Sequence, residues 1–288
     1  MKFALCNEMF LRWSLENQFD AFAAWGYDGA ELAPFSLDPA FVSGDSKTTD
    51  VARVSAAIRR RVQAASTASG VAVSGLHWVL AHTSGLRLTT LDRAVRRRTA
   101  DYLIALAELC AELGGTYLVF GSPAQRSILP EFTRADAEES ALETISFVLP
   151  TLERTGVTLA LEALAPTETN FWTTAAETLA FIEKLGSPET VSLHLDCKAM
   201  AGGESASIPE TIRAALGRRS APTFHANDPN LRGPGFGDLD FAPILQALTD
   251  VGFDGWVGVE PFDYSPGVVE LGRESLRYLK SVAPPTAR

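Results

Sequence analysis

An α/β fold, closed into a single (β/α)8 TIM barrel, is the architecture the sequence predicts, and three observations carry the prediction. Short β-rich apolar runs alternate with helical patterns along the whole chain, the units number eight, and glycine-bearing turns stand between most helices and the strand that follows. Alternation over the full length means parallel βαβ units, and eight of them close a barrel. At 288 residues with 46% hydrophobic content, the chain can bury a large core as one domain.

The first strand is expected near 2–6. It runs into Asn7-Glu8-Met9-Phe10, where a doubly wound open sheet would need a glycine-rich phosphate loop. A helix near 15–25 ends at Gly26, and the second strand follows near 28–32. The next helix, near 48–69, ends at Gly70 before a strand near 71–77. Helix 91–113 stops at Gly114-Gly115 before strand 116–120, and helix 133–154 stops at Gly156 before strand 157–162. Helix 174–185 stops at Gly186-Ser187-Pro188 before strand 191–196, and helix 208–217 leads to strand 221–225. Helix 240–251 stops at Gly252 before strand 255–260, and a last helix covers 266–281. Glycine suits these stops because it accepts left-handed backbone. The runs Val157-Thr158-Leu159-Ala160-Leu161 and Trp256-Val257-Gly258-Val259 are almost wholly apolar, as expected of strands covered on both faces. The barrel is expected over 1–283, with a Pro-bearing tail at 284–288.

Composition narrows the function. A net charge of −10 argues against a nucleic-acid partner, because phosphate neutralisation needs a basic surface. The basic runs Arg59-Arg60-Arg61 and Arg96-Arg97-Arg98 fall within helical segments and read as solvated faces. No apolar stretch is long enough for a membrane span. The three cysteines are odd in number and form no CxxC pair, so buried thiols in a reducing compartment fit better than a disulfide framework. With Asn7 interrupting any signal-type apolar region, a cytoplasmic location is expected. Composition leaves the oligomeric state open, a homo-oligomer included.

The active end of such a barrel is the C-terminal end of its strands. The first run ends in Asn7-Glu8, the second in Glu31 and the third in His77-Trp78, while the fourth leads into Gly121-Ser122-Pro123-Ala124-Gln125-Arg126. The last four end in Glu162, Asp196, His225 and Glu260. One carboxylate capping the next helix would be unremarked. Four such groups at the ends of successive apolar strands would stay unneutralised without a cation. A single divalent metal is therefore expected on Glu162, Asp196, His225 and Glu260, with Mn²⁺ or Mg²⁺ favoured by the oxygen-rich set and Co²⁺ or Zn²⁺ also compatible. His77 is a candidate to hydrogen-bond a substrate, and Glu31 to orient His225 or bind a hydroxyl. His194, two residues before Asp196, reads as a satisfied interior histidine. Gln125 and Arg126 offer an anion clamp or a salt bridge. Trp13, Trp78, Phe171, Trp172 and Phe262 offer a wall over a ligand or simple loop packing.

Several motifs carry a resemblance. Leu161-Glu162-Ala163-Leu164 with Glu168-Thr169-Asn170-Phe171, Leu193-His194-Leu195-Asp196, Phe224-His225-Ala226-Asn227-Asp228, Gly258-Val259-Glu260 and Gly26-Tyr27-Asp28-Gly29-Ala30-Glu31-Leu32 together span the barrel. They resemble the sugar phosphate isomerase/epimerase family with the xylose-isomerase-like barrel, relatives of D-tagatose 3-epimerase and inosose isomerase. The resemblance implies isomerisation or epimerisation of a sugar, keto-sugar or polyol. A proton beside a carbonyl is removed, and the resulting enediolate is stabilised by the metal. Glu162 and Glu260 would move the proton, and Asp196 and His225 would only ligate. Glu168 resembles the family's substrate-hydroxyl ligand, and Arg232 its substrate arginine with one extra residue of spacing. The chain departs from the pattern at Ala199, where family epimerases carry a histidine that contacts substrate; the adjacent Lys198 is positioned to substitute. The same residues would serve a lyase acting on a 3-keto-glycoside, or a dehydratase of a keto-polyol. A non-catalytic sugar-binding barrel has no need of four ligands. Endonuclease IV shares the barrel, but its three zinc ions need histidines where this chain has Ala199 and Asp238-Leu239-Asp240.

Overall fold

The computed structural model describes residues 1–284, so 285–288 of the expected tail lie outside the described residues. Eight parallel strands close in chain order, each paired with its neighbours and β8 with β1. They are β1 Lys2–Cys6, β2 Gly29–Leu32, β3 Ala72–Leu76, β4 Tyr117–Phe120, β5 Thr158–Glu162, β6 Val191–Asp196, β7 Thr223–Ala226 and β8 Trp256–Val259. The long helices are α1 Leu15–Trp25, α3 Ala56–Ser69, α4 Arg93–Glu112, α6 Arg134–Thr155, α7 Ala175–Lys184, α9 Ile208–Leu216, α10 Ala242–Asp250 and α11 Val268–Val282. Three short ones, α2 Pro39–Val42, α5 Pro123–Arg126 and α8 Cys197–Gly203, lie in loops at the strands' C-terminal ends. None of the helices described is long and apolar enough to cross a membrane.

Most of the expected elements are present within a residue or two. The exception is the helix expected at 48–69, which begins only at Ala56, where the Ser55 hydroxyl accepts from the Ile58 N–H. Asp50 caps a separate 3-10 turn at 51–53, and Asp38 holds that turn by accepting from Asp50 N and pairing with Arg53. Local caps thus broke an otherwise helix-compatible run. The short α8 was not expected; it opens directly from the end of β6 because the Asp196 carboxylate accepts the Ala199 N–H.

The strand period of two divides the core. Leu159 and Leu161 of β5, Leu193 and Leu195 of β6 and Phe224 of β7 join the hydrophobic layer beneath the helices. Alternate positions, Glu162, Asp196 and His225 among them, share the other face and line the barrel's interior. The interior is filled by matching large side chains to glycines. A β-carbon on Gly29 would sit 2.5 Å from the Trp256 ring, and one on Gly75 would sit 2.5 Å from the Tyr117 ring and 2.6 Å from the Tyr117 carbonyl oxygen. The Trp256 ring can tilt; the β4 backbone cannot. Gly75→Ala should therefore destabilise the protein by about 2 kcal/mol or more through overpacking, seen as a lower urea midpoint. An unchanged midpoint would contradict this account of the interior.

Candidate metal and active site

The four strand-end residues converge. Ligand-type atoms of Glu162, Asp196, His225 and Glu260 all lie within 4.8 Å of one another, and all four side chains are buried. The register dictates this: Asp196 pairs directly with His225 across β6 and β7, and Glu260 follows β8 alongside Ala226. Gly121, just past β4, leaves the space that the Glu162 carboxylate occupies; a β-carbon there would lie 2.1 Å from Glu162 Oε2.

Each group is held from behind. Asp196 accepts from Ala199 N at 2.7 Å and from the Asn227 side-chain amide, whose oxygen in turn accepts from Lys198 N at 2.8 Å. Helix capping is thus true of Asp196, in addition to its place in the cluster. Glu260 Oε1 accepts from the Trp78 indole N–H at 2.7 Å, and Trp78 adopts a left-handed backbone, φ 52°, to reach it. The Trp78 ring stacks against Phe262. His225 Nε2 lies 2.9 Å from Glu31 Oε1, and Glu31 also accepts from the Tyr117 hydroxyl at 2.6 Å. His77 Nε2 lies 2.8 Å from Glu8 Oε2.

The electrostatics are those of crowded acids. Burial pushes Glu162 well above the usual carboxylate range, and the charges of Asp196 and Glu260 push it further. Burial, then Glu260, raises Asp196 to about 6. Burial would also raise Glu260, but the charge of His225, helped by His77 and Trp78, brings it down to about 2. Burial disfavours charge on His225, yet Glu260 and Glu31 raise its pKa well above the ordinary value.

The donor set fits a divalent cation. Glu31 stays ionised, held low by His225, His77 and Tyr117 against its burial, so it accepts the Nε2 proton of His225. That leaves His225 Nδ1 as a buried nitrogen with no hydrogen-bond partner, facing Glu260 Oε2 at 2.9 Å. Two such acceptors face each other stably only around a proton or a cation. Other triads are within reach, such as Cys6 with Glu8 and His77, but burial raises the Cys6 thiol far above its usual value.

A cavity of about 370 Å³ opens over the cluster and is lined by Glu162, Asp196, Glu260, Glu168, Lys198 and Trp78, among others. Glu168 and Lys198 pair at 2.7 Å on its side. The remaining expected contacts sit elsewhere. His77 and Glu31 are fully buried behind the wall. Arg232 turns outward, bonded to Asp263 at 2.9 Å and to Ser265. Arg126 is neither clamp nor surface salt bridge: it is wholly buried, donating to the carbonyls of Phe120, Glu162 and Trp172, and burial pulls it down to about 10. His194 is interior as expected but not satisfied, since neither ring nitrogen has a partner among the described residues. Its ring instead meets His225 edge-on at 4.2 Å. Of the five aromatic residues, Trp78 and Phe262 line the cavity. Phe171 and Trp172 pack together beneath the loops, and Trp13 packs on Phe10. Sequence reasoning missed the bond from Trp78 to Glu260 and the support of Asp196 by Asn227; the position of Asn227 two residues after His225 was the only hint.

Fold and cluster define a parallel barrel with a four-donor centre at the C-terminal mouth of its strands. The chain belongs to the xylose isomerase-like TIM barrel family, whose model matches residues 19–282. It is 33% identical over 175 residues to L-ribulose 3-epimerase of Mesorhizobium japonicum, covering 61% of this chain and 58% of that protein. It is 28% identical over 184 residues to a ketose 3-epimerase of Arthrobacter globiformis, covering 63% and 62%. The chain thus spans about three fifths of the length of these curated relatives. In structure it resembles 3-keto-D-glucoside 4-epimerase YcjR from E. coli, with a TM-score of 0.81 over 98% of this chain and 99% of that one at 19% identity, a likeness of fold.

Two outcomes test this geometry. Trp78→Phe and Glu31→Gln should each weaken Mn²⁺ binding roughly 10–100-fold, measured by competition with a fluorescent chelator; wild-type affinity in both would refute the supporting roles. Glu162, Asp196 and His225 all hold protons more tightly folded than unfolded, so chelator-treated protein should lose stability as pH rises through about 6, where Asp196 titrates. Urea midpoints on either side of that pH should differ, and saturating Mn²⁺ should close the gap.

Proposed function

We propose that this chain is a divalent-metal-dependent isomerase or epimerase of a sugar, keto-sugar or related polyol. The observation that carries the reading is the buried cluster of Glu162, Asp196, His225 and Glu260 beneath an open cavity. The names of the relatives, L-ribulose 3-epimerase and ketose 3-epimerase, agree with it. Three carboxylates and one imidazole favour Mn²⁺ or Mg²⁺.

A bound cation would polarise the substrate carbonyl and offset the negative charge that develops when the neighbouring carbon loses its proton. The chain's own residues do the rest. Glu162 and Glu260 come from strands three apart around the barrel, so their carboxylates reach a bound sugar from different directions. One removes the proton and the other returns it. In the metal-free protein their surroundings differ, burial and acidic neighbours raising Glu162 while His225 brings Glu260 down against its burial. Asp196 and His225 hold the metal only. Glu168 and Lys198 contact substrate hydroxyls from the cavity side, while Glu31 orients His225 and His77 supports it from within. The Trp78 and Phe262 rings form the wall against which the sugar lies.

Incubation of Mn²⁺-loaded protein in D₂O with a panel of ketoses, inososes and 3-keto-glycosides tests the reading. Deuterium should enter a ketose without loss of a leaving group, and chelation should stop it. Release of an aglycone would instead establish a lyase, and the absence of exchange with every substrate a binding protein. Glu260→Gln should lower turnover by roughly 10²–10⁴-fold; wild-type turnover would remove the mechanism.

A further inference from the structure

His194 takes no part in the mechanism proposed above, yet it stands beside two of the four cluster residues. In register it pairs with Glu162 across β5 and β6, and its Nε2 lies 4.0 Å from Glu162 Oε1. Its ring meets that of His225 with the centroids 4.2 Å apart. The ring is fully buried and does not line the cavity. Neither of its nitrogens has a hydrogen-bond partner among the described residues, a costly state for a buried polar group. The unprotonated nitrogen of an imidazole is also a common metal ligand, so an ion would relieve that cost as a hydrogen bond would.

Ligand-type atoms of Glu162, His194 and His225 lie within 4.8 Å of one another, and Asp196 and Glu260 fall outside this inner set. A cation bonded at about 2.0–2.2 Å to a nitrogen and to an oxygen spans the 4.0 Å between His194 and Glu162. The inner set and the four-donor cluster cannot both be filled. Glu31 engages His225 Nε2, so both draw on the one free nitrogen of that ring, Nδ1. The donors also differ in kind. The outer set has three carboxylates and one imidazole; the inner set has two imidazoles and one carboxylate. Carboxylate oxygen suits Mg²⁺ and Mn²⁺, and imidazole nitrogen suits Zn²⁺, for which two histidines and a glutamate are a familiar set. Asp196 and Glu260 can go without the ion, because Ala199, Asn227 and Trp78 donate to them. Given the reading of the outer cluster as a metal centre, we propose that its cation has a second, inner position on Glu162, His194 and His225, which Zn²⁺ takes in preference to the outer one. There the ion gives up two of the cluster's three carboxylates, all of which line the cavity, and is withdrawn from a substrate.

X-ray absorption at the metal's own edge counts the imidazoles on the ion and so reads its position. Chelator-treated protein is loaded with an equimolar amount of Zn²⁺ or of Mn²⁺, and affinities are measured by competition with a fluorescent chelator. Zn²⁺ should carry two imidazoles and Mn²⁺ one. Added to the Mn²⁺ form, Zn²⁺ should replace Mn²⁺ rather than bind beside it. His194→Ala should reduce the zinc count to one imidazole. It should also weaken Zn²⁺ binding at least about tenfold, a loss that removing even a supporting partner can cause, and leave Mn²⁺ affinity at the wild-type value. A single imidazole on Zn²⁺ in the wild-type protein overturns the inference and leaves the outer metal centre standing, whether or not the variant folds. A sulfur neighbour overturns it too, because the ion would then sit on Cys6, which is also within reach of His225 and Glu260. Zn²⁺ and Mn²⁺ bound together, or an equal loss of affinity for both in the variant, likewise counts against it. If neither ion binds, the metal reading falls along with the inference. Deuterium uptake with Mn²⁺ tests the isomerase reading separately.

Discussion

Three carboxylates and an imidazole, drawn within 4.8 Å of one another and almost out of water, are the constraint on which the upper half of this barrel depends. Left alone, such a group of charges is costly by several kcal/mol per desolvated ion. The surroundings offset part of that cost. Hydrogen-bond donors reach Asp196 from Ala199 and Asn227, and Glu260 from Trp78, while Glu31 takes the far side of His225. What remains is a surplus of negative charge facing an open cavity, a good place for a cation and a poor one for an anion.

The support for the cluster extends below it. Strand parity sends Glu31, Tyr117 and His194 into the interior, where an apolar barrel would carry aliphatic side chains. Glu31 links β2 to β7 through His225 and to β4 through Tyr117. His77 and Glu8 form a second couple, joining β3 to the turn after β1. These bonds lock ring and carboxylate orientations before any ligand arrives. Preorganisation of this kind holds a binding site in one geometry.

The barrel and the convergence of its four strand-end residues were legible in the sequence for a simple reason. Strand ends are the places where apolar alternation stops, and a polar residue there can be read by eye, as at Glu162 and Asp196. Short-range caps were harder to see. Asp50 and Ser55 turned a continuous helical pattern into a turn and a later helix, and Asp196 began a helix that its sequence did not advertise. Loop side chains were hardest. Arg232 and Arg126 both lie in motifs that suggest ligand contact, yet partners distant in sequence decide where each points: Asp263 for one, and the carbonyls of Glu162 and Trp172 for the other. Periodicity carries no information about such partners.

Arg126 makes the mouth of this barrel less modular than barrels usually are. Loops at this end of the fold are commonly exchangeable, because the strands carry the stability and each loop is a separate graft. Here the loop after β4 supplies a guanidinium that ties together the end of its own strand, the end of β5 and the segment beyond it. Its planar fork serves three acceptors at once, which the single ammonium of a lysine would not reproduce. The loops after β4 and β5 are therefore one unit: a graft of the first alone would leave buried carbonyls bare beside Glu162, and a graft of the second alone would take the Trp172 carbonyl from a buried guanidinium N–H.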